Sequence, residues 1–388
     1  PNLIAFGSTR GGLILADAAG NELRQYNSNK GLPSDFVSGI TVDRQGGVWL
    51  ATYNGLIRFV PRLSYFGETS GLKGALTSLA RWQESLYVGT TSGLFRLKAS
   101  RDTQSPTFEA VSGMEGGVWS LSPKEKSLWI GATRGLFEYN GKSLEARSAA
   151  PEVVYDVAFA RQAEETLFAA MRSVAQILKF DGKAWGKTGE IPLSGEEFRT
   201  IADDENGIVW ATTRTSIVRA DFNVTPAKIQ NFTEQNGLPS GWKNAFRVGG
   251  KLLFATEKGL VKFDQAGQRF VPDPGLGQRF SNGSQGILLL KEDPRNGNVW
   301  MSGAGYHGVL KKAGNKDSEW MPMPFINAGF EDLWVIHPDT DGGIWGAGSD
   351  GRLGRLDPAL ESTKQKPFQV LVRRLLISDT RQVIFEGA

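Results

Sequence analysis

Val37-Ser38-Gly39-Ile40-Thr41-Val42-Asp43, then Gly46-Gly47-Val48-Trp49-Leu50-Ala51-Thr52, then Gly55-Leu56-Ile57-Arg58-Phe59 is the stretch on which the fold turns. It reads as three short strands separated by Asp- and Gly-rich turns. Its central feature recurs along the chain: a large apolar residue followed six positions later by Gly. The pairs are Phe6/Gly12, Trp49/Gly55, Tyr87/Gly93, Trp129/Gly135, Leu253/Gly259 and Trp345/Gly351. Trp210/Ser216 and Phe168/Val174 keep the spacing without Gly, and Trp300/Gly308 stretches it by two residues. The anchors advance in steps of 38 to 47 residues, the length of a four-stranded propeller blade.

Each copy opens with a short apolar run, strand A, such as Leu76-Thr77-Ser78-Leu79-Ala80 or Phe198-Arg199-Thr200-Ile201-Ala202. Asp stands six residues before Trp in Asp43/Trp49, Asp204/Trp210 and Asp339/Trp345, where a tight hairpin needs a side-chain acceptor. Strand B holds the anchor, strand C follows the Gly hairpin, and a weaker strand D ends on an aromatic before Gly-Leu. The predicted fold is all-β: a single closed β-propeller of about nine (eight to nine) four-stranded blades over residues 1–365. The Trp anchors should pack between blades. The repeated Gly residues are hairpin residues rather than a phosphate loop, since no helix follows them. The first copy lacks a strand A. Residues 366–388 are expected to close the ring by supplying it and to lead into a following domain that is absent here.

Composition narrows the function. The chain has 388 residues, a net charge of +3 with acids and bases interspersed, eleven Trp, no Cys and two His. Balanced charge argues against a nucleic-acid partner. Without Cys there is neither a disulfide nor thiolate chemistry. With only His307 and His337, a His-rich metal site cannot form. No apolar run is long enough to span a membrane.

Gly31-Leu32-Pro33-Ser34-Asp35-Phe36-Val37, Ile40, Asp43, Gly47-Val48-Trp49-Leu50-Ala51-Thr52 and Gly55-Leu56-Ile57-Arg58-Phe59 resemble the two-component regulator propeller repeat. Gly237-Leu238-Pro239-Ser240 repeats its opening, and Trp129-Ile130-Gly131-Ala132-Thr133-Arg134-Gly135-Leu136 its middle. The resemblance implies the extracytoplasmic, periplasmic or extracellular, sensor part of a bacterial membrane receptor. In that family a β-sandwich, a membrane helix and a histidine kinase or nucleotide cyclase follow, so membrane contact is expected only through C-terminal regions absent here. Two seven-bladed rings in tandem are the commonest arrangement there. A homodimer is compatible with such a receptor.

No catalytic constellation, metal site or cofactor is expected. The Asp-rich turns Asp203-Asp204-Glu205-Asn206-Gly207 and Asp339-Thr340-Asp341-Gly342-Gly343 lack the spacing and closing Glu of a calcium loop. Gly207-Ile208-Val209-Trp210-Ala211-Thr212 is also similar to blades of streptogramin lyases, but those enzymes depend on a His and a metal that have no matching residues here. A third alternative is a propeller that serves only as a protein-docking or dimerisation platform. A small ligand should bind over the axial channel, where B–C hairpins and D–A loops converge. The hairpins offer Arg10, Tyr53, Arg134, Arg172, Arg214, Lys258, Tyr306 and His307, and the loops offer Phe36, Trp119 and Trp242. Arg beside aromatics suits an anionic or sugar-like ligand.

Overall fold

The computed structural model describes residues 4–16, 22–28, 32, 34–42, 48–59, 63–98, 106–148, 151–193, 195–303, 306–313, 316–322, 333–348, 351–356, 374–376 and 383–386. The fold is all-β, and nine blade-like antiparallel sheets follow one another as expected.

Two leading blades come first. One is β1 (Ile4–Ser8), β2 (Gly12–Ala16) and β3 (Glu22–Tyr26); the other is β4 (Val37–Val42), β5 (Val48–Thr52) and β6 (Gly55–Phe59). The next strand, β7 (Leu63–Phe66), leaves them and joins the last blade of the chain.

Seven blades then form the ring. They are β8 (Leu76–Trp82), β9 (Ser85–Thr90), β10 (Gly93–Lys98) and β11 (Thr107–Glu115); β12 (Val118–Pro123), β13 (Leu128–Ala132), β14 (Gly135–Tyr139) and β15 (Leu144–Ala146); and β16 (Val154–Phe159), β17 (Thr166–Met171), β18 (Val174–Phe180) and β19 (Trp185–Pro192). The fourth and fifth are β20 (Thr200–Asp203), β21 (Val209–Thr212), β22 (Ile217–Asp221) and β23 (Lys228–Phe232), then β24 (Lys243–Val248), β25 (Lys251–Thr256), β26 (Gly259–Asp264) and β27 (Arg269–Pro272). The sixth is β28 (Leu289–Glu292), β29 (Val299–Gly303), β30 (Tyr306–Ala313) and β31 (Lys316–Pro322). The seventh is β32 (Leu333–Pro338), β33 (Ile344–Gly348) and β34 (Leu353–Leu356), with β7 as its outer strand. Innermost strands touch in the order β8, β12, β16, β20, β24, β28, β32 and back to β8, so the circuit closes on itself.

The blade count is therefore that of the sequence, while the circuit holds seven blades and leaves two ahead of it. The circuit is closed by a strand that the sequence did not single out. β7 pairs with β34 from Leu63↔Leu356 to Phe66↔Leu353. β35 (Arg374–Leu376) and β36 (Val383–Glu386) pair with each other. The rest of the 366–388 segment, including the run from Pro367, lies outside the described residues. A strand earlier in sequence wins because the last blade presents a free outer edge that β7 is placed to cover.

Each seam is a hydrophobic layer. Trp129 and Leu136 pack on Val154, Val157, Leu167 and Met171 of the next blade. Trp210 and Ile217 pack on Ala245, Phe254 and Phe270. The closing seam sets Trp345 and Phe66 against Leu76, Leu86 and Phe108, with the Phe66 and Trp345 rings 5.5 Å apart. The Asp–Trp spacing also acquires a physical cause. The Trp210 indole donates to Asp204 (2.9 Å) and Trp345 to Asp339 (2.8 Å). Asp204 further accepts from the amides of Asn206 and Ile208, so one carboxylate orders the turn and satisfies the buried indole. Asp43 lies outside the described residues. Trp300 has Pro294 at that offset, and its buried indole N–H finds no partner among the described residues.

Hairpin glycines are required where the register closes over two residues. Gly93 (φ 147°) and Gly259 (φ 101°) adopt left-handed backbone, and a Cβ there would lie 2.6 Å from the Met114 carbonyl and 2.4 Å from that of Phe280. The first hairpin differs: Ser8 pairs with Gly12 across three residues. That extra residue puts Ala5, not the expected Phe6, at the anchor position and turns Phe6 to the opposite flank.

The leading blades share one seam, built from Leu13, Leu15, Tyr26, Leu32, Val37, Val48 and Leu50. Their outer flanks are open. Leu56, which follows the hairpin Gly, is 68% exposed, whereas Leu94, Leu136 and Leu260 at that position are each 1% exposed. On the other flank Phe6 is 49% exposed, where Val88 and Ile130 of ring blades are fully covered.

Candidate ligand site at the axial mouth

The upper ends of the innermost strands are stitched together by short polar side chains. Thr77 donates to the Val118 carbonyl, Ser120 bonds Asp156 (3.0 Å), and Asp156 accepts the Ile201 amide (3.0 Å). Thr200 accepts the Ala245 amide (2.8 Å), Asn244 donates to Leu288 O (3.1 Å), and Ser302 donates to Leu333 O (2.6 Å). Burial pushes the Asp156 carboxyl up, against the hydrogen bonds from Ile201, Ser120 and Val157.

Just above this belt the register slips by one residue. In β12 the slip falls between Val118 and Ser120, and in β16 between Val154 and Asp156. Trp119 and Tyr155 are the extra residues, and such a bulge re-aims the side chain it carries. Their rings meet across the blade boundary at 6.1 Å. Arg199, just before β20, lays its guanidinium over the Tyr155 ring at 4.8 Å. Glu197 gathers the group: it accepts from Tyr155 Oη (3.1 Å), pairs with Arg172 Nε (3.0 Å) and pairs with Arg199 (3.2 Å). Burial, and then the Glu197 charge, push the Tyr155 hydroxyl up, so it stays a neutral donor. Two guanidiniums share one carboxylate beside two aromatic faces, and Arg172 remains 65% exposed at the side chain.

Of the residues nominated from sequence, Trp119 and Arg172 belong to this cluster. Arg134 is nearby on its own hairpin, paired with Glu115 at 3.7 Å. Arg214 and Lys258 are exposed on the next hairpins. Trp242 is half-buried, its amide held by Glu257 (3.2 Å). Arg10, Phe36 and Tyr53 lie on the leading blades, where Phe36 and Tyr53 meet edge-on at 6.4 Å, so the structure does not bring them to this mouth. Tyr306 is turned inward: its hydroxyl donates to Gly286 O (3.0 Å), and burial pushes its pKa up to about 12. His307 is not on the hairpin tip. Gly303 pairs with Tyr306, so His307 takes the seam position and is 1% exposed, its Nδ1 bonded to Ser302 (3.0 Å). Tyr155, Glu197 and Arg199 escaped the sequence reading. For Tyr155 and Arg199 the signal was the triplet opening strand A, an apolar residue, then a large one, then a short polar one; Glu197, just ahead of it, carried none.

Lower in the channel the charges are paired across blades. Arg247 of β24 pairs with Asp203 and reaches past the intervening blade to Phe159 O (2.9 Å). Arg161 crosses the same gap to Gly250 O. Lys291 and His337 partner the seam anchors Trp300 and Trp345 in consecutive blades. Among the described residues no group of three acidic or imidazole side chains could hold a metal ion.

Residues 31–54 match the family model described as two component regulator propeller. No curated protein matches in sequence. In fold, the chain is similar to the extracellular domain of a putative hybrid two component system from B. thetaiotaomicron, with a TM-score of 0.67 and 16% identity over 98% of this chain. It spans about half of that relative's length, 54%. The Neurospora crassa Pan2 WD40 domain aligns at TM-score 0.55 and 10% identity, over 76% of this chain and 96% of that one. YCF48 bound to D1 peptide aligns at TM-score 0.52 and 14% identity, over 76% and 95%.

Proposed function

We propose that this chain, which carries the two-component regulator propeller repeat, is the ligand-sensing propeller of a bacterial signalling receptor, held on the extracytoplasmic side of the membrane. The observation that carries the sensing role is the mouth cluster, where Arg172 and Arg199 are gathered by Glu197 beside Trp119 and Tyr155. Charged groups held in place at low entropic cost next to half-buried aromatic rings make a site ready for an anionic or sugar-like ligand. The likeness in fold to an extracellular receptor domain supports the compartment. The two leading blades are then an arc of a further ring: each open flank has the apolar residues that another blade of the same repeat would cover.

A thermal-shift screen of sugars, organic acids and peptides tests this reading. A ligand at a hundred times its Kd should stabilise the fold by about 2.7 kcal/mol, and Arg172→Ala should need more ligand for the same shift. A flat melt with every class of compound would overturn small-ligand sensing and leave the ring a docking platform.

A further inference from the structure

The slip that presents Trp119 and Tyr155 is not confined to their two blades. It recurs in β8 between Leu76 and Ser78, freeing Thr77, and in β32 between Leu333 and Val335, freeing Trp334. Arg199 takes the same place before β20, its amide donating to Thr212 O (2.7 Å). Because β32 touches β8, these positions run unbroken around the mouth: Trp334, Thr77, Trp119, Tyr155, Arg199. Leu288 before β28 is offset in the same way, its amide donating to Ser302 O (2.8 Å), and β4 of the leading blades slips between Val37 and Gly39. The departure therefore belongs to the repeat, and the five successive positions are set apart by the side chains they carry. The other two positions offer no open polar or aromatic side chain: Lys243 is in register and buried, and Leu288 is aliphatic.

A bulge re-aims the side chain it carries, so the residue standing at each slip decides what the mouth presents. Trp334 supports this. It sits on an innermost strand yet is 51% exposed, although its neighbours Leu333 and Val335 are buried. A large indole left open at a channel mouth is a stacking face without an occupant.

We propose that this arc is one ligand subsite, and that its ligand is a ring with an apolar face bearing a carboxylate. The inference rests on the sensing role above and adds the place and the chemistry. Trp334 offers an open indole on one side of the mouth, and the half-buried Trp119 and Tyr155 rings line the other. The carboxylate goes to the Arg199 and Arg172 guanidiniums, whose fork geometry matches it. Glu197 between them disfavours a ligand with more negative charge than the two guanidiniums can share.

An acidic sugar and an aromatic acid share that chemistry. Calorimetric titration of the full chain with glucuronic acid, 4-hydroxybenzoate and uncharged glucose separates them. One of the two acids should bind saturably, with glucose at least about tenfold weaker. Trp334→Ala and Arg199→Ala should each weaken that acid by about tenfold and leave the melting temperature unchanged, since both side chains are open. Equal binding by wild type and both variants would overturn the arc while leaving sensing intact. Failure of both acids, with a hit from another class in the broad screen, would overturn the ligand chemistry alone.

Discussion

His337 shows how much a single position in the channel decides. It faces the anchor Trp345 across the hairpin and has Lys291, Asp339 and Arg81 around it. Burial, then the Lys291 charge, hold its pKa down to about 4 from 6.5, and its buried Nδ1 has no hydrogen-bond partner among the described residues. The unfolded chain therefore binds the proton first as pH falls. Stability from this group is complete above about pH 6.5 and drains away toward pH 4, by up to about 3 kcal/mol. Denaturant melts of His337→Gln should lack this slope between those pH values; a parallel slope in both proteins would refute the assignment. The residue level was readable where a side chain answers its own neighbours, as in Asp204 and Trp210. It was not readable for His307, because a two-residue turn from Gly303 to Tyr306 moves the next residue from hairpin tip to seam.

At the level of elements, the blades could be read and the seal could not. The apolar runs and turn residues of β8 to β34 mark strands without any tertiary knowledge. Leu63-Ser64-Tyr65-Phe66 carries no mark that it will leave β6 for β34, since that choice depends on which edges are free in space. The strand bulges were hidden for a related reason: one extra residue shifts the face of a side chain while barely altering the repeat. The seal predicts a reversal of the closure expected from sequence. Phe66→Ala should cost about 3–5 kcal/mol, because it empties the seam shared by Trp345 and Phe108. Removing β36 should leave the main transition in place, for its paired partner is β35. Equal damage from both changes, measured by urea denaturation, would return the closing role to the C-terminus.

For the molecule as a whole, the repeat count was evident in the chain, while its division into two blades and seven was not, since every copy satisfies the same pattern. The division can be tested at one repeated position. Leu136→Asp buries a charge in a ring seam and should cost more than about 4 kcal/mol. Leu56→Asp meets water and should stay within about 0.5 kcal/mol in this chain. Comparable losses would mean that Leu56 is covered. The path of β7 also sets an order in time. The ribosome makes Phe66 before its partner Leu353, with almost the whole ring between them. At about 5–20 residues per second, the strand waits roughly 15–60 s for its edge to exist. Through that interval the nascent chain exposes a sticky apolar ribbon, so the demand for chaperone cover opens with β7 and is released only when the last blade of the ring emerges.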